Sequence, residues 1–173
     1  MQLLQLAGAG GGRGMRVGIG YDSHRFAPGR RLVLGGVEIP HEVGLIGHSD
    51  ADAAAHAVTD AILGAAALGD IGAHFPPSDP RWRDADSIGL LESAVRILAE
   101  HGYRVHNVDL TIICEAPKIL PHVPAMRERL AEALGIEVGQ VSIKGKTNEG
   151  MGWIGRGEGI AAMAVATVRS DLA

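Results

Sequence analysis

Apolar positions along the chain change their period several times, and each change marks an element. From Met15, MRVGIGYDSHRF alternates and carries Val17 and Ile19, which predicts a strand. RRLVLGGVEIP follows as a second extended piece with a Gly-Gly turn, and HEVGLIGHSD reads as a loop. Ser49, with Asp52 three residues on, has the capping-box pattern and predicts the start of an Ala-rich helix. That helix, ADAAAHAVTDAILGAAALG, is expected to stop near Gly69. DIGAHFPPSDPRW contains three prolines and reads as loop. Ile88, Leu91, Val95 and Leu98, spaced 3, 4 and 3 apart, give one face of a second helix ending at Gly102.

In YRVHNVDLTIIC the period returns to two: Val108, Leu110 and Ile112 share one face, and Asn107, Asp109 and Thr111 the other. PKILPHVP reads as a loop into a third helix. Pro124 sits near its start, Met126, Leu130 and Leu134 lie on one face, and Gly135 ends it. VSIKGKTNEGMGWIGRGEG predicts a strand running into a Gly-rich turn, and GIAAMAVATV a closing strand. Together these elements predict an α+β domain, a two-layer sandwich with helices on one face of a mixed sheet. Residues 160–168 are apolar at both parities, so both faces of that strand are expected to be buried. Helices cover only one, so the other is expected to pack against copies of itself in a closed homo-oligomer.

Composition narrows the function. The chain has 173 residues, 46% hydrophobic and 21% charged, which suits one compact domain over residues 15–173. Residues 1–14, with their Gly run, read as a flexible leader without the basic start and longer apolar region of a secretory signal. Aromatics make up 3%, so Ala, Val, Leu and Ile must fill the core. The net charge of −4 is interspersed without a basic stripe, which argues against nucleic acid as a partner. Lys144 and Lys146 form a local pair better suited to a phosphate. Nothing approaches a transmembrane span. The single Cys114 excludes an internal disulfide and fits a reducing, cytoplasmic location.

The candidate chemistry begins with Asp22 and His24. Two apart on a strand, they point to the same face and can both ligate one ion. His56, on the Ala-rich helix, offers a third donor. Three ligands of this kind leave a tetrahedral zinc site one open position. Asp60, one helical turn after His56, is within reach as a supporting carboxylate. Taken singly, each residue also has an ordinary structural role: His56 as a core histidine, Asp52 as a helix cap, Asp60 as a solvated charge.

The order of GYDSHRF, LGGVEIP, GLIGHSDADAAAHAVTDAILGAAALGDIGAHFP, NVDLTIICEAPKILPH and GRGEGIA resembles the 2-C-methyl-D-erythritol 2,4-cyclodiphosphate synthases from about Met15 to about Val168. The resemblance implies a homotrimer with sites between subunits. It implies conversion of 4-diphosphocytidyl-2-C-methyl-D-erythritol 2-phosphate to the 2,4-cyclodiphosphate and CMP, a step of non-mevalonate isoprenoid synthesis. Asp22, His24 and His56 match the zinc ligands, and Glu149 the carboxylate for a magnesium or manganese ion on the diphosphate. His48 and Ser49 match residues near the 2-phosphate, and Asp70, Ile71 and Gly72 a stretch lining the erythritol pocket. Phe75 and Asp79 match the loop above it. Cys114, Lys118, Ile119, Leu120, Gly145, Lys146 and Thr147 match the cytidine-diphosphate pocket. His48, Asp60 and Thr147 are the expected catalytic groups; Trp153 and Arg156 are expected to contact substrate.

Departures fall at Pro77, Gly145-Lys146, Asn148 and Trp153, none of them a proposed zinc ligand. Arg156 and Glu158 of GRGEG are expected on one strand face near the trimer axis. A zinc-dependent phosphohydrolase on a CDP-linked substrate, or a non-enzymatic trimer that binds a nucleotide, stays open on the residues alone.

Overall fold

The computed structural model describes residues 14–170, so the leader expected over residues 1–14 lies, apart from Gly14, outside the described residues. Strand β1 (Met15–Ala27) is followed by the hairpin β2 (Leu32–Leu34) and β3 (Val37–Ile39), then the two-residue β4 (Gly44–Leu45). Helices α1 (Ala53–Ala65), α2 (Ile71–His74) and α3 (Ser87–Glu100) lead to β5 (Tyr103–Ile113). Helix α4 (Val123–Leu134), β6 (Val141–Lys146), the short α5 (Gly152–Gly155) and β7 (Gly159–Ser170) complete the domain. The main sheet has the order β4-β1-β7-β5-β6, parallel between β5 and β6 and antiparallel elsewhere. It is therefore the mixed sheet expected. Helix α1 lies over β1 and β7, α3 against β5, and α4 against β6.

The contact of α1 with β1 explains the small residues on both elements. A Cβ at Gly18 would fall 2.2 Å from the carbonyl oxygen of Ala61, and one at Gly20 would fall 2.0 Å from that of Ala57. Backbone meets backbone there, and Ala57, Ala61 and Ala65 line the helix stripe that makes the approach possible. Bulkier residues would lift the helix away from the strand.

Several boundaries differ from expectation. Asp52, not Ser49, caps α1, accepting from the Ala55 N–H. The same buried carboxylate accepts from the Gly35 and Gly36 amides, so it fastens the hairpin tip to the helix start. Four residues before Gly69 the helix already ends: Ala67 takes a left-handed φ of 59° and the Leu68 amide returns to the Leu63 carbonyl. The proline-rich stretch is not all loop, because Asp70 caps the turn of α2 and Asp79 caps a 3-10 turn at Pro80–Trp82. β4 interrupts the loop expected before α1, where it pairs with the end of β1.

Within a single chain, the helices cover one face of β7 and leave the other open. Its even-numbered residues from Ile160 to Val168 are buried under the helices, but Met163 and Val165 are each 40% exposed on the other face. They stand opposite Tyr21 and Ile19 of β1, also exposed, and with Val17 and Met15 they form a continuous apolar patch. Apolar residues at both parities thus describe one covered face and one open one.

Candidate active site

The strand-and-helix approach at Gly18 and Gly20 carries α1 forward until His56 reaches the end of β1. Asp22 Oδ2 lies 2.8 Å from His24 Nε2 and 2.9 Å from His56 Nδ1, and the two ring nitrogens are 3.3 Å apart. Ligand atoms around a tetrahedral zinc with bonds near 2.0 Å are separated by about 3.3 Å. The three donors therefore already stand at nearly the spacing such an ion requires, and they form a possible metal-binding cluster among the described residues. Gly47 makes room for the His24 ring, since a Cβ there would sit 3.1 Å from His24 Cε1.

Each imidazole is held from behind. His24 Nδ1–H donates to the Ile46 carbonyl at 2.7 Å, which leaves Nε2 for the cluster. His56 Nε2 faces Ser87 Oγ at 2.8 Å and Ser49 Oγ at 3.1 Å, which leaves Nδ1 for the cluster. Burial opposes ionisation of Asp22, but hydrogen bonds from both histidines outweigh it and hold the carboxyl far below the usual range. Burial likewise opposes charge on His24, yet the hydrogen bond and charge of Asp22 raise its pKa above 6.5. Asp60, expected as a supporting carboxylate, is tied to the start of α2 and interacts with His56 only through its charge. Its carboxylate accepts from the Ile71 amide at 2.8 Å and so anchors α2, while burial and the charges of Asp70 and Asp22 raise its pKa.

The other expected residues divide into two groups. Near the cluster, His48 is half-buried and its Nε2 is a buried ring nitrogen with no hydrogen-bond partner. Ser49 is buried, accepts from the Ala51 amide and contacts His56. Asp70 caps the turn that carries Ile71 and Gly72. Phe75 packs edge-on against Trp82, and Asp79 is bound by Arg81, which holds its carboxyl below the usual range. Trp153 and Glu158 line a cleft with Ser23, His24 and Arg25. Arg156 donates to Glu158 at 2.7 Å, but neither residue lies on a strand as expected; they sit in the turn between α5 and β7.

The second group gathers beyond the ends of β5 and β6. The Cys114 amide donates to the Lys146 carbonyl, which extends the parallel pairing past β5. Cys114 is buried, and burial together with the Glu115 charge pushes its thiol up to about 11, so it lines the core and is not nucleophilic. Ile119 is buried, Lys118 and Leu120 are exposed, and Gly145 lets Ile119 approach to 3.0 Å of where its Cβ would be. Lys144 is tied to Asp109 at 2.6 Å, so the expected lysine pair is already partly neutralised. Thr147 Oγ1 donates to Glu149 Oε1 at 2.7 Å, and Glu149 takes a left-handed φ of 51°. Glu115, which sequence reasoning passed over, accepts from the Asn148 and Gly150 amides and pins this loop.

Strand register fixes the spacing of the two groups. Asp22 pairs with Ala162, Ala162 with Ile112, and Ile112 with Gly145. Three strand steps amount to about 14 Å of backbone separation. Both groups lie at the same end of the sheet, but they do not converge on a single compact pocket.

Comparison with known proteins agrees with this arrangement. The model of the YgbB family matches residues 15–169. The 2-C-methyl-D-erythritol 2,4-cyclodiphosphate synthase of Symbiobacterium thermophilum is 62% identical over 154 residues, which cover 89% of this chain and 98% of that protein. A solved structure of a 2C-methyl-D-erythritol-2,4-cyclodiphosphate synthase in its CDP-bound form superposes with a TM-score of 0.81 at 39% identity, covering 88% of this chain and 99% of the other. The bifunctional IspDF of Campylobacter jejuni gives a TM-score of 0.88 at 38% identity, with 91% of this chain matched to 42% of that longer one. None of these names gives support to the phosphohydrolase alternative. With a matching family model, a shared fold and high identity along nearly its whole described length, the chain belongs to the YgbB family of 2-C-methyl-D-erythritol 2,4-cyclodiphosphate synthases.

Proposed function

We propose that this chain cyclises 4-diphosphocytidyl-2-C-methyl-D-erythritol 2-phosphate to 2-C-methyl-D-erythritol 2,4-cyclodiphosphate with release of CMP. The observation that carries the reading is the donor cluster of Asp22, His24 and His56, set in a fold shared with a CDP-bound synthase. Two imidazoles and a carboxylate, each ring held by its far nitrogen, make a donor set suited to zinc. The oxygen-only Glu149 suits magnesium or manganese.

The substrate's 2-phosphate attacks its own β-phosphorus, and the bond to CMP breaks. Asp22, His24 and His56 would hold a zinc ion and Glu149 a magnesium or manganese ion; when bound, these would supply Lewis acidity and offset phosphate charge. Bringing two anionic groups together is the main obstacle. His48 and Ser49 receive the 2-phosphate, and the Nε2 of His48 is, with Trp82 Nε1 and Asp109 Oδ1, one of the buried side-chain atoms among the described residues with a hydrogen bond still to make. Asp70, Ile71 and Gly72 line the erythritol end, with Phe75 and Asp79 above it. Lys118 and Lys146 place positive charge near the diphosphate, and Thr147 orients Glu149. Cys114, Ile119, Leu120 and Gly145 shape the cytidine pocket, with Trp153 and Arg156 at its edge. Since both reacting groups belong to one molecule, holding it folded supplies most of the remaining acceleration, and no protein nucleophile is required.

The separation of about 14 Å between the two groups favours a site completed by a neighbouring copy, because the two phosphorus atoms of a diphosphate lie far closer together. The open apolar face of β1 and β7 gives such copies a surface to share, in the homotrimer that the sequence resemblance implies. No described helix is long and apolar enough to cross a membrane. A highly charged substrate of this kind does not cross one unaided, so the reading places the activity in the cytoplasm.

His56→Ala is expected to lower zinc affinity and CMP release by more than about a hundredfold, a larger loss than follows from disturbing a ligand's supporting groups. Full activity with normal zinc content in that variant would overturn the site. Phosphorus NMR of the wild-type product must show the cyclic diphosphate; a linear product carrying oxygen from water would overturn the reaction.

A further inference from the structure

We propose that Ser87 and Asp50 are positioning residues of the metal centre, acting on His56 through one directed chain of hydrogen bonds. The inference rests on the metal reading of Asp22, His24 and His56. His56 turns Nδ1 toward Asp22 and His24, where it would ligate the ion, so in the metal-bound state its proton belongs on Nε2. Ser87 Oγ lies 2.8 Å from Nε2 and accepts it. The single proton of the Ser87 hydroxyl goes to Asp50 Oδ1 in a short hydrogen bond. A carboxylate can only accept, so the direction of the whole chain is set from its far end: Asp50 orients Ser87, and Ser87 holds His56 with Nδ1 free to ligate.

Burial makes the arrangement consequential. Ser87 is fully buried, so its hydroxyl cannot turn to water. Its position is fixed from two sides. Ser87 is the first residue of α3, and its backbone N–H also donates to Asp50, at Oδ2 and 3.1 Å. The Asp50 amide donates to the Ala85 carbonyl, and the Asp84 amide to the His48 carbonyl. Those two bonds stitch the loop that bears His48 and Ser49 to the segment entering α3. Asp50 thus serves three donors, the backbone amides of Ser87 and Asp52 and the Ser87 hydroxyl, and only the hydroxyl leads to His56.

That division permits a clean test. Ser87→Ala deletes the hydroxyl and keeps the backbone bond to Asp50. Zinc affinity is measured by competition with a chromophoric chelator, alongside the melting temperature of the metal-free protein and the visible spectrum of the cobalt-substituted one. Ser87→Ala is expected to weaken zinc binding by about 10- to 100-fold, with an altered cobalt band and little change in metal-free melting. Asp50→Asn, which removes the charge but retains an acceptor, is expected to weaken it less, in the same direction; it also decides the matter if Ser87→Ala does not fold.

Zinc affinity within twofold of wild type in both variants overturns the proposal. It would mean that Ser49, 3.1 Å from Nε2, holds the ring alone. Loss of affinity only in proportion to lost metal-free stability also overturns it. Failure of the wild-type protein itself to bind zinc would instead overturn the metal reading, a result this set of measurements keeps separate.

Discussion

The metal cluster and the Gly145–Gly150 loop are two halves of one proposed site, built in opposite ways. In the cluster, a helix is pressed onto a strand through glycines, and every ring nitrogen has a partner. At the end of β6 and in the loop after it, residues 144–147, 149 and 150 are exposed, Thr147 bonds only locally, and Glu115 grips two backbone amides. One half is organised by the chain itself before anything binds. The other presents its groups outward, as suits a surface that another copy and a ligand would complete in the proposed homotrimer. Preorganisation here follows packing depth, and packing depth follows from where Gly and Ala are placed.

The most severe way to break this contrast is Gly20→Ala. The new Cβ would meet backbone 2.0 Å away, which no rotamer can relieve, so α1 must lift and carry His56 from Asp22. A loss of about 3 kcal/mol, the upper end of the usual cost of overpacking, is expected in chemical denaturation, together with loss of tight zinc binding. A stable variant with normal zinc affinity would show that the close approach is not what assembles the cluster.

A gentler lever is pH. The raised pKa of His24 means that its pairing with Asp22 stabilises the metal-free fold fully below pH 6.5, and that this contribution is lost as pH rises through the raised value. Zinc needs the neutral ring, so metal binding must expel that proton. Zinc affinity should therefore fall by about tenfold per pH unit on the acid side of the His24 pKa, while Asp22 stays ionised. Competition titrations between pH 5 and 8 check this; a flat profile would remove His24 from the ligand set.

The smallest effect should come from the exposed half. Glu115→Ala frees the Asn148 and Gly150 amides and should raise KM for the CDP-linked substrate by about tenfold, the scale of one charge-assisted hydrogen bond, while leaving zinc affinity unchanged. Glu115→Gln keeps an acceptor and should recover most of the loss. A change in zinc affinity instead would mean that the two halves are coupled within one chain.

Much of this was legible in the sequence. The alternation from Met15, the helical spacing of Ile88, Leu91, Val95 and Leu98, and the Gly135 stop all stand as read. Asp22 and His24 could be paired from strand period alone, because two residues apart on a strand means one face. That His56 meets them could not be read from period; it depends on the clash-free approach at Gly18 and Gly20, a fact of three dimensions. The Ser49 cap failed for a related reason: Asp52 satisfies the helix start and the hairpin tip at once, and the hairpin is remote in sequence. Ser87 and Asp50 carried no signal beyond ordinary capping residues. The apolar parities of β7 were seen correctly, but one chain covers only one of its faces.

The strand order carries a consequence for the order of synthesis. β7 is the last strand made, yet it lies between β1, the first, and β5. While the chain emerges from the ribosome, β1 has only the two-residue β4 to pair with, and Asp22 and His24 have no sheet to stand on. Arrest before β7 is made therefore leaves one edge of β1 and one edge of β5 unpaired and exposed to aggregation.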